Sequence, residues 1–443
     1  MNRQRIGKPS CRTCYHTELI GAIGKLLPHR GLPLQIEDGR VRWTPRLLAT
    51  CAILMSWLPG RALKDSFMAA REALVAMYDS RRRPGDSCEG FLAALAKSSK
   101  EMLATVVLTL QNKTQDLAGN QWRWEGWVVM GVDGSRVECP MTKANELAMG
   151  CAGKDKTTPQ LFLTTLFHVG TGLPWCWKRG GGKESERNHL RQMIGQLPPR
   201  TLLLADAGFT GYELLRSLKQ AGHDFIVRVG HNVTLLRKLG YCVQENKGIV
   251  YLWPLGFRDQ KPLVLRLVKV RQDRKRMCLL TNVLDGERLS DGQIYELYKL
   301  RWGVEVLFRS FKQTMEHREM RCGSPDHAKI ELDWAMVGLW MLGLISQEAI
   351  GRRRRLERKW SVAKSLRIVR GAIRRVRQPR AKGGLRHQLR DALQDNYVRN
   401  RPKKARHWPH KKREQPPGIP IVRMATNSEV KAAQRVSLLR LTG

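Results

Sequence analysis

The sequence predicts an α/β fold whose core lies between a helical region and a basic region. Short apolar runs with strand character alternate with helical patterns between about residues 121 and 350. The residues before this segment read as helices, and those after it are strongly basic. At 443 residues the chain has the length of about two or three domains. We therefore expect a helical region over 1–120, an α/β domain over 121–350 and a basic region over 351–443.

The N-terminal region carries clear helix signals. Thr44 followed by Pro45 is typical of a helix start, and this pair precedes the apolar run RLLATCAILMSWL. A second helical pattern, LKDSFMAAREALVAMY, ends before the basic turn at 80–87, and a third follows that turn. These signals predict an all-helical region.

The central segment alternates strands and helices. The apolar run WVVMGV leads directly to Asp133, and the next segment, 159–179, predicts two strands joined at 170–172. A helical pattern then precedes the buried strand TLLLA, which ends at Asp206, and a helix and the strand HDFIVRVG follow. Strand, hairpin, helix, strand, helix and strand in this order predict an α/β core.

The segment from about 231 to 282 is rich in strand patterns, of which KPLVLRLVKV and RMCLLTNV are the clearest. We expect it to form an inserted sheet, and Trp253 is its only tryptophan. Ser290 then predicts the N-cap of a helix, and a further core helix is expected over 331–350.

Four polar residues share one stripe of the helix that follows Ser290. Tyr298, Arg301, Glu305 and Lys312 lie at offsets that fall within an arc of about 60° at 100° per residue. The adjacent face is apolar and is expected to be buried; it consists of Leu300, Val304, Leu307, Phe308 and Phe311. The stripe predicts one wall of a cleft. The alternative is an ordinary amphipathic helix whose two bases pair with the acid.

Two aspartates follow apolar strand patterns. Asp133 comes directly after WVVMGV, and Asp206 comes at the end of TLLLA. In α/β sheets, ligands bind in the crevice outside the carboxyl ends of the strands. The Asp-Gly-Ser sequence at 133–135 taken alone reads as a turn. Together with Glu305, the aspartates form a set of three acids from two strand ends and a helix.

The charge of the chain predicts a polyanionic partner. Lys and Arg number 79 against 39 Asp and Glu, a net charge of +40. Nucleic acid is favoured over a membrane, because the longest apolar stretch, 332–350, contains Asp333 and Glu348 and reads as a core helix. Residues 351–413 hold 24 Lys or Arg against three acids. This tract predicts a polyanion contact or a disordered arm, with a solvated surface as the alternative.

The N-terminus has no apolar segment of the kind found in secretory signals, so we expect a cytoplasmic, nucleoid-associated protein. Cys11 and Cys14 have the spacing of metal ligands, with His16 close behind. Because no second ligand pair lies nearby, an ordinary segment is the better interpretation than a zinc site.

The polar stripe also carries a resemblance. Tyr298, Arg301, Glu305 and Lys312 match every residue and gap of the Y-(2)-R-(3)-E-(6)-K signature. The chain resembles a DDE-type insertion-sequence transposase with a ribonuclease H-like core, of the bacterial group that carries this signature. The residues around Asp133 and Asp206 are similar to the first two acidic motifs of the group, and 231–282 lies where the group carries an insertion. The resemblance covers roughly 125–345.

The resemblance implies that Asp133, Asp206 and Glu305 are catalytic and hold two divalent metal ions. Carboxylate oxygens are hard ligands that suit Mg²⁺ or Mn²⁺. Two ions about 3.5–4 Å apart neutralise charge on the attacking and leaving oxygens of a phosphodiester. The same site would then both cut and join DNA.

The resemblance also implies DNA contacts. Arg301 and Lys312 would clamp phosphates, and Tyr298 would hydrogen-bond a phosphate or stack on a sugar or base. Trp253 is a candidate to hold a base flipped out of a hairpin at the transposon end, although a tryptophan in a β segment is more often core. Arg179 and Arg228 could line the same channel, with surface solvation as an equal alternative.

The implied function is DNA transposition. Such a protein binds the terminal inverted repeats of its element as double-stranded DNA, pairs two ends as a homodimer, cuts with metal ions and joins the ends to target DNA. The helical N-terminal and basic C-terminal regions are the expected end-binding parts. Two alternatives stay open: a ribonuclease H-like nuclease that does not join DNA, and a catalytically inactive, transposase-derived DNA-binding protein.

Overall fold

The structure of the protein, a computed structural model, contains one large mixed sheet with helices on both faces. The described residues are 12–28, 32, 41–58, 60, 62–77, 83–151, 158–241, 248–272, 275–357, 359–374, 383–395 and 417–438. Ten strands among them form a single sheet in the order β10-β6-β7-β8-β9-β5-β4-β1-β2-β3. This architecture confirms the α/β class.

Five strands form the centre of the sheet. They are β1 Val128–Glu138, β2 Gln160–His168, β3 Leu173–Gly181, β4 Thr201–Ala205 and β5 Asp224–Val229. β1, β2 and β3 are antiparallel neighbours, as the predicted hairpin requires. β4 lies parallel to β1, and β5 lies parallel to β4. The carboxyl ends of these three parallel strands therefore meet at one edge of the sheet.

The prediction that β1 ends at Asp133 is wrong. β1 pairs with β4 only from Val128 to Gly131, but its pairing with β2 continues to Glu138, opposite Gln160. The second ladder keeps the Asp-Gly-Ser sequence extended instead of letting it turn. Asp133 consequently lies where β1 has lost one neighbour, two residues beyond the last pair with β4.

The β-rich segment continues the central sheet instead of forming a separate one. Its strands are β6 Thr234–Arg237, β7 Ile249–Leu252, β8 Leu263–Gln272 and β9 Lys275–Thr281. β9 pairs antiparallel with β5, which joins the segment to the core. Near the C-terminus, β10 Ile421–Met424 pairs parallel with β6. The segment is thus enclosed between the central strands and a strand from the basic C-terminal region.

Helices cover both faces of the sheet. On one face lie α6 Glu186–Met193 and α7 Tyr212–Gln220. The other face packs against the N-terminal helices and a long central helix. These helices are α1 Arg12–Leu26, α2 Pro45–Trp57, α3 Leu63–Met77, α4 Cys88–Ala118 and α10 Pro325–Ile350. A short helix, α5 Lys143–Met149, follows β1. The helical signals in this region and the buried core helix are confirmed, and Thr44 caps α2 with Pro45 at its first position.

The single helix expected after Ser290 is broken into three pieces. α8 Asp291–Leu300 begins with the capping box of Ser290 and Gln293, which confirms the predicted start. After a turn at Arg301 and Trp302, α9 Gly303–Arg309 continues, followed by a π-helical turn at Ser310–Thr314. Glycine has a low helix propensity, so Gly303 favours a break here. A Cβ on Gly303 would lie only 3.0 Å from the ring of Phe167 in β2. The glycine therefore lets the start of α9 approach β2 closely. Leu300 is consequently exposed, contrary to the prediction, whereas the other four apolar residues are buried.

Part of the basic C-terminal tract is folded against the helical layer. Its helices are α11 Arg352–Glu357, α12 Val362–Ile373 and α13 Leu385–Leu389, and α14 Asn427–Leu438 follows β10. Leu366, Val369 and Ile373 of α12 are buried in the same cluster as α10. Residues 375–382 and 396–416 lie outside the described residues. Among the helices that are described, none is long and apolar enough to cross a membrane.

A buried ion pair joins β3 to α10. Asp333 accepts hydrogen bonds from Arg179 Nε at 2.8 Å and from Trp177 Nε1 at 2.9 Å, and its Oδ2 lies 2.7 Å from Arg179 Nη2. Burial raises the pKa of Asp333, and Arg179 and Trp177 oppose this shift. Arg179 is therefore engaged in packing the fold, which weakens the prediction that it lines a DNA channel.

We expect Asp333→Ala to lower the free energy of unfolding by about 3 kcal/mol, because it strips a half-buried guanidinium of its partner. Asp326→Ala is the matched control, since Asp326 is exposed at the start of the same helix and forms a partly exposed pair with Lys329. Its loss should stay under about 1 kcal/mol. Urea denaturation measures both variants. Equal losses would contradict a structural role for the buried pair.

Candidate active site

Asp133 and Asp206 lie at the same edge of the sheet on neighbouring parallel strands. Asp133 Oδ1 accepts a hydrogen bond from the backbone N–H of Gly134 at 2.9 Å. Asp206 directly follows β4 and caps a short 3₁₀ turn, Ala207–Phe209, with its Oδ1 accepting from Ala207 N at 2.7 Å. Local backbone N–H groups thus orient both carboxylates.

Arg301 lies among all three predicted acids. Its guanidinium is 3.2 Å from Glu305 Oε1, 3.9 Å from Asp133 Oδ2 and 4.0 Å from Asp206 Oδ2. The side chain is buried, and its Nε has no hydrogen-bond partner among the described atoms. Burial alone would lower the pKa of Arg301, but Tyr298 and the three acids outweigh it and raise the pKa. The structure therefore brings together three acids that are far apart in sequence around one fixed positive charge.

One arginine does not neutralise this cluster. Burial raises the pKa of Asp133 to about 6, and the nearby Glu305 and Asp206 add to this effect. Arg301 and the Gly134 N–H act in the opposite direction and do not overcome it. The folded environment of Asp133 is therefore less favourable to its ionised form than water is.

Tyr298 joins this cluster, whereas Lys312 lies apart from it. The Tyr298 hydroxyl donates to Asp206 Oδ1 at 3.4 Å, and burial together with Asp206 raises the pKa of Tyr298 to about 12, so it stays neutral. Arg228 is close enough to Tyr298 to oppose this shift. Lys312 lies within the π-helical turn and donates to the backbone carbonyl of Arg136 in β1. Three of the four stripe residues therefore converge, and the fourth lies farther along β1.

Sequence reasoning missed a fourth acid at this edge. Glu186 is the first residue of α6, and burial raises its pKa, with Asp133 and Asp206 raising it further. A Cβ added at Gly134 would lie 2.9 Å from Glu186 Oε2, and one added at Gly208 would overlap Oε1. The carboxylate therefore lies against the backbone beside both aspartates. The only sequence signal was an acid in the first turn of a predicted helix, which is common at helix starts.

Trp253 is not brought to this cluster. It follows β7, which is separated from β4 by β8, β9 and β5. Its ring is buried in the core of the β-rich segment, its Nε1 donates to Gln260 O at 2.7 Å, and Arg258 lies 4.4 Å above the ring. In this conformation the ring is not free to stack on a base. Cys11 and the side chains of Cys14 and His16 lie outside the described residues.

The acids suit a hard divalent cation in chemistry, but they do not surround one in this conformation. Within the described ranges, no group of three or more His, Cys, Asp or Glu is arranged to hold a metal ion. The guanidinium of Arg301 lies between the carboxylates and acts as the cation that they share. The Glu186 carboxylate lies against Gly134 and Gly208, beside the two aspartates. The fit to a metal ion is therefore one of donor chemistry, because carboxylate oxygens are the ligands that Mg²⁺ and Mn²⁺ take.

A mixed sheet with acids at the carboxyl ends of adjacent parallel strands defines an α/β protein that binds its ligand at that edge. Residues 128–341, from the first residue of β1 into α10, match the family described as "Transposase DDE domain". This part of the chain is therefore similar to DDE transposases. The family generally uses divalent metal ions, which agrees with the donor chemistry of the acids.

Two curated relatives are transposase proteins of insertion sequences. The chain is 27% identical over 285 residues to "Transposase InsG for insertion sequence element IS4" of Escherichia coli strain K12, covering 60% of this chain and 63% of that protein. It is 21% identical over 183 residues to a Synechocystis protein named for insertion sequence element IS4SA, covering 40% of this chain and 51% of that protein. Each match therefore spans less than two thirds of the relative's length.

A solved structure, titled "Cryo-EM structure of piggyBac transposase synaptic complex with hairpin DNA (SNHP)", also resembles the chain. The TM-score is 0.42 at 11% identity, and the alignment covers 87% of this chain and 85% of that one. This likeness is too weak to support a conclusion about this protein.

We expect Asp133→Asn to stabilise the metal-free protein at pH 8. The folded pKa of about 6 lies above the usual value of 3.8, so stability is lost as the pH rises from about 4 through 6. At about 1.4 kcal/mol per pKa unit, the variant should gain up to about 3 kcal/mol at pH 8 and little at pH 4. Thermal melting in EDTA at both values measures this. If the variant were less stable than wild type at pH 8, an ionised Asp133 would not destabilise the folded protein and this interpretation would be refuted.

Trp253→Ala should lower the free energy of unfolding by about 3–5 kcal/mol, because it empties a large buried volume. Trp253→Phe is the control: it keeps a ring but loses the bond to Gln260 O, at a cost of about 1 kcal/mol. Chemical denaturation compares the two. Unchanged stability in Trp253→Ala together with a selective loss of hairpin formation would instead support the base-flipping role.

Proposed function

We propose that this protein is a DNA transposase that cleaves the ends of its own element and joins them to target DNA. The observation that carries the proposal is the meeting of Asp133, Asp206 and Glu305 around Arg301. These acids come from two strands and a helix, and such convergence at a ligand-binding edge has no role in packing the core. The match of 128–341 to the DDE transposase family and the two insertion-sequence relatives support it.

The catalytic region is a ribonuclease H-like core within 121–350. The order β3-β2-β1-β4-β5, with three antiparallel strands followed by two parallel ones, supports this proposal. The strands from 234 to 281 are the β-rich insertion, placed between Asp206 and Glu305 in sequence. The helical region 1–120 and the basic region 351–443 would both contact DNA. The basic region would also contact the second protomer.

Asp133, Asp206 and Glu305 would hold two Mg²⁺ or Mn²⁺ ions. When bound, such ions activate a water or a DNA 3′-hydroxyl and stabilise the departing 3′-oxygen. Arg301 then has a second role, because carboxylates neutralised by other cations no longer require its guanidinium. Its planar fork suits a phosphodiester, and its burial beside the acids would position that phosphate. Neutral Tyr298 can donate a hydrogen bond to the same phosphate, and Lys312 would contact the strand farther along β1.

The partner is double-stranded DNA at the element ends and at the target. The net charge of +40 supports binding to the phosphate backbone, which any DNA sequence presents. One active site per element end requires two protomers for two ends, so we propose a homodimer in the complex that pairs them. Joining of the ends distinguishes this function from that of a simple nuclease.

The test is strand cleavage and joining of labelled DNA that carries the gene's own flanking sequence, in Mg²⁺ or Mn²⁺. Glu305→Gln should lower the cleavage rate by about 10³-fold, since it removes a carboxylate worth several kcal/mol in the transition state. Electrophoretic mobility shifts should show nearly unchanged DNA binding.

Glu296→Gln is the matched control, because Glu296 lies on α8 and forms an exposed pair with Lys299. It should cleave and join like wild type. Cleavage by Glu305→Gln at the wild-type rate would refute the catalytic assignment. Cleavage without joining would favour a nuclease, and tight binding to the ends without cleavage by any variant would favour an inactive relative.

A further inference from the structure

The side of α12 that faces away from the buried cluster carries three arginines. Arg367, Arg370 and Arg374 lie at spacings of three and four residues, which places them on one stripe of the helix. Ala363 and Gly371 lie on the same stripe and put only small groups beside the arginines. These five residues form the α12 stripe, which presents three guanidinium groups over a shallow surface.

The α12 stripe lines an open groove next to the π-helical turn that ends at Thr314. The groove has a volume of about 460 Å³, and Thr314 lines it together with residues of α12. The same turn continues α9, which carries Glu305. At 1.5 Å per residue, the segment from Glu305 to Thr314 spans at most about 14 Å, or about four base pairs of a duplex at 3.4 Å each. A duplex with one phosphate at the acids would therefore have its backbone within reach of the groove.

Arg370 is fixed in the middle of the α12 stripe by contacts with two other segments. Its Nε donates to the carbonyl of Trp57, the last residue of α2, at 2.6 Å. Its Nη2 lies 3.0 Å from Glu316 Oε1, just beyond the π-helical turn. These contacts attach α12 to α2 and to the segment that follows α9. Arg370 therefore holds the stripe in a defined position beside the groove.

Arg367 and Arg374 flank Arg370, and both are exposed. In the part of the chain that the structure describes, neither guanidinium forms an ion pair or a hydrogen bond. Burial lowers the pKa of Arg370, Glu316 opposes this shift, and Arg374 adds to it. Glu316 is thus engaged by Arg370, whereas the two flanking arginines keep a positive charge that an external anion can neutralise.

The chemistry of the α12 stripe fits a polyanion with regularly spaced charges. The residues that follow it in the sequence, 375–382, contain four Lys or Arg and no acid, so they supply no counter-charge. Arg367 and Arg374 are separated by about 10 Å along the helix axis, at 1.5 Å per residue. Each strand of a DNA duplex presents one phosphate about every 3.4 Å along its axis, so this span matches about three phosphates. Guanidinium groups bind phosphates through paired hydrogen bonds.

We propose that the α12 stripe is a docking surface for the phosphate backbone of double-stranded DNA beside the active site. Arg367 and Arg374 bind phosphates, and Arg370 is a positioning residue that holds α12 in place. This inference rests on the proposed function, because the bound DNA is the duplex that the active site would cut. It assigns the contact to particular residues within the basic region 351–443.

The test measures binding of the full-length protein to a labelled duplex that carries the gene's own flanking sequence. Fluorescence anisotropy follows binding over a series of NaCl concentrations, in EDTA so that no strand is cut. The double variant Arg367→Gln with Arg374→Gln loses two phosphate contacts. The slope of log K against log salt concentration should therefore become shallower by about 1.8, at about 0.9 per phosphate. Between about 50 and 200 mM NaCl, the variant should lose about 12-fold less affinity than wild type loses.

The matched control is the double variant Arg200→Gln with Lys219→Gln, which also removes two exposed positive charges. Arg200 directly precedes β4, and Lys219 lies in the last turn of α7, so both are at the edge of the sheet opposite the acids. Its slope should equal that of wild type. An equal change of slope in the two double variants would overturn the inference, because total charge and not the α12 stripe would then determine binding.

Ala363→Glu is a second variant, and it leaves every arginine in place. Ala363 is exposed in the first turn of α12, where an acid favours the helix. The new carboxylate would lie four residues before Arg367 and pair with it, so affinity for the duplex should fall about 5-fold. Ala363→Gln is its neutral control and should bind like wild type.

Wild-type affinity and slope in both the arginine double variant and Ala363→Glu would overturn the inference. Cleavage is measured separately, so the two proposals can fail independently. If Glu305→Gln abolished cleavage while these slopes stayed unchanged, the proposed function would stand without the docking surface. If wild type failed to cleave but the arginine double variant gave the shallower slope, the docking surface would stand without the proposed reaction.

Discussion

Electrostatic repulsion among carboxylates at one edge of the sheet is the constraint that the rest of the site satisfies. Asp133 and Asp206 are brought together because β1 and β4 are parallel and adjacent. Glu305 and Glu186 then approach them from α9 and α6. Burial raises the pKa of Asp133, and the nearby Glu305 and Asp206 raise it further. Arg301 offsets part of the repulsion, and the helix breaks at the same residue.

Hydrophobic packing and buried polar contacts in the surrounding fold hold the acid-bearing elements together against that repulsion. β4 is buried along its length, with Leu202 and Leu204 packed on one face and Leu203 on the other. The hairpin of β2 and β3 is attached to α10 by the buried Asp333 pair and to α6 by the His189 network. The elements that carry the acids thus cannot separate without opening a hydrophobic cluster. A rigid scaffold of this kind stores an unfavourable arrangement that a ligand can relieve.

Much of the fold could be predicted because the signals are local. Alternating apolar runs identified the central strands, Ser290 identified a helix start, and the spacing of Tyr298, Arg301 and Glu305 identified residues that do converge. The predictions that were wrong concern features that depend on contacts between residues distant in sequence. Pairing with β2 extends β1 through the Asp-Gly-Ser sequence that was expected to turn. The predicted helix breaks next to Gly303, which contacts Phe167 of β2. Packing within the β-rich segment buries Trp253. Glu186 could not be predicted because only the fold places α6 against both aspartates.

The charges of the site indicate why the three acids and Arg301 belong together. Asp133, Asp206 and Glu305 carry three negative charges when ionised, against the single positive charge of Arg301, and Tyr298 stays neutral with a pKa of about 12. This excess of negative charge would repel a DNA phosphate. Divalent ions held by the three acids, as the proposed function requires, would reverse the sign of the charge at this edge. The same ions would free the Arg301 guanidinium to bind the phosphate, so one set of side chains would serve both ligands.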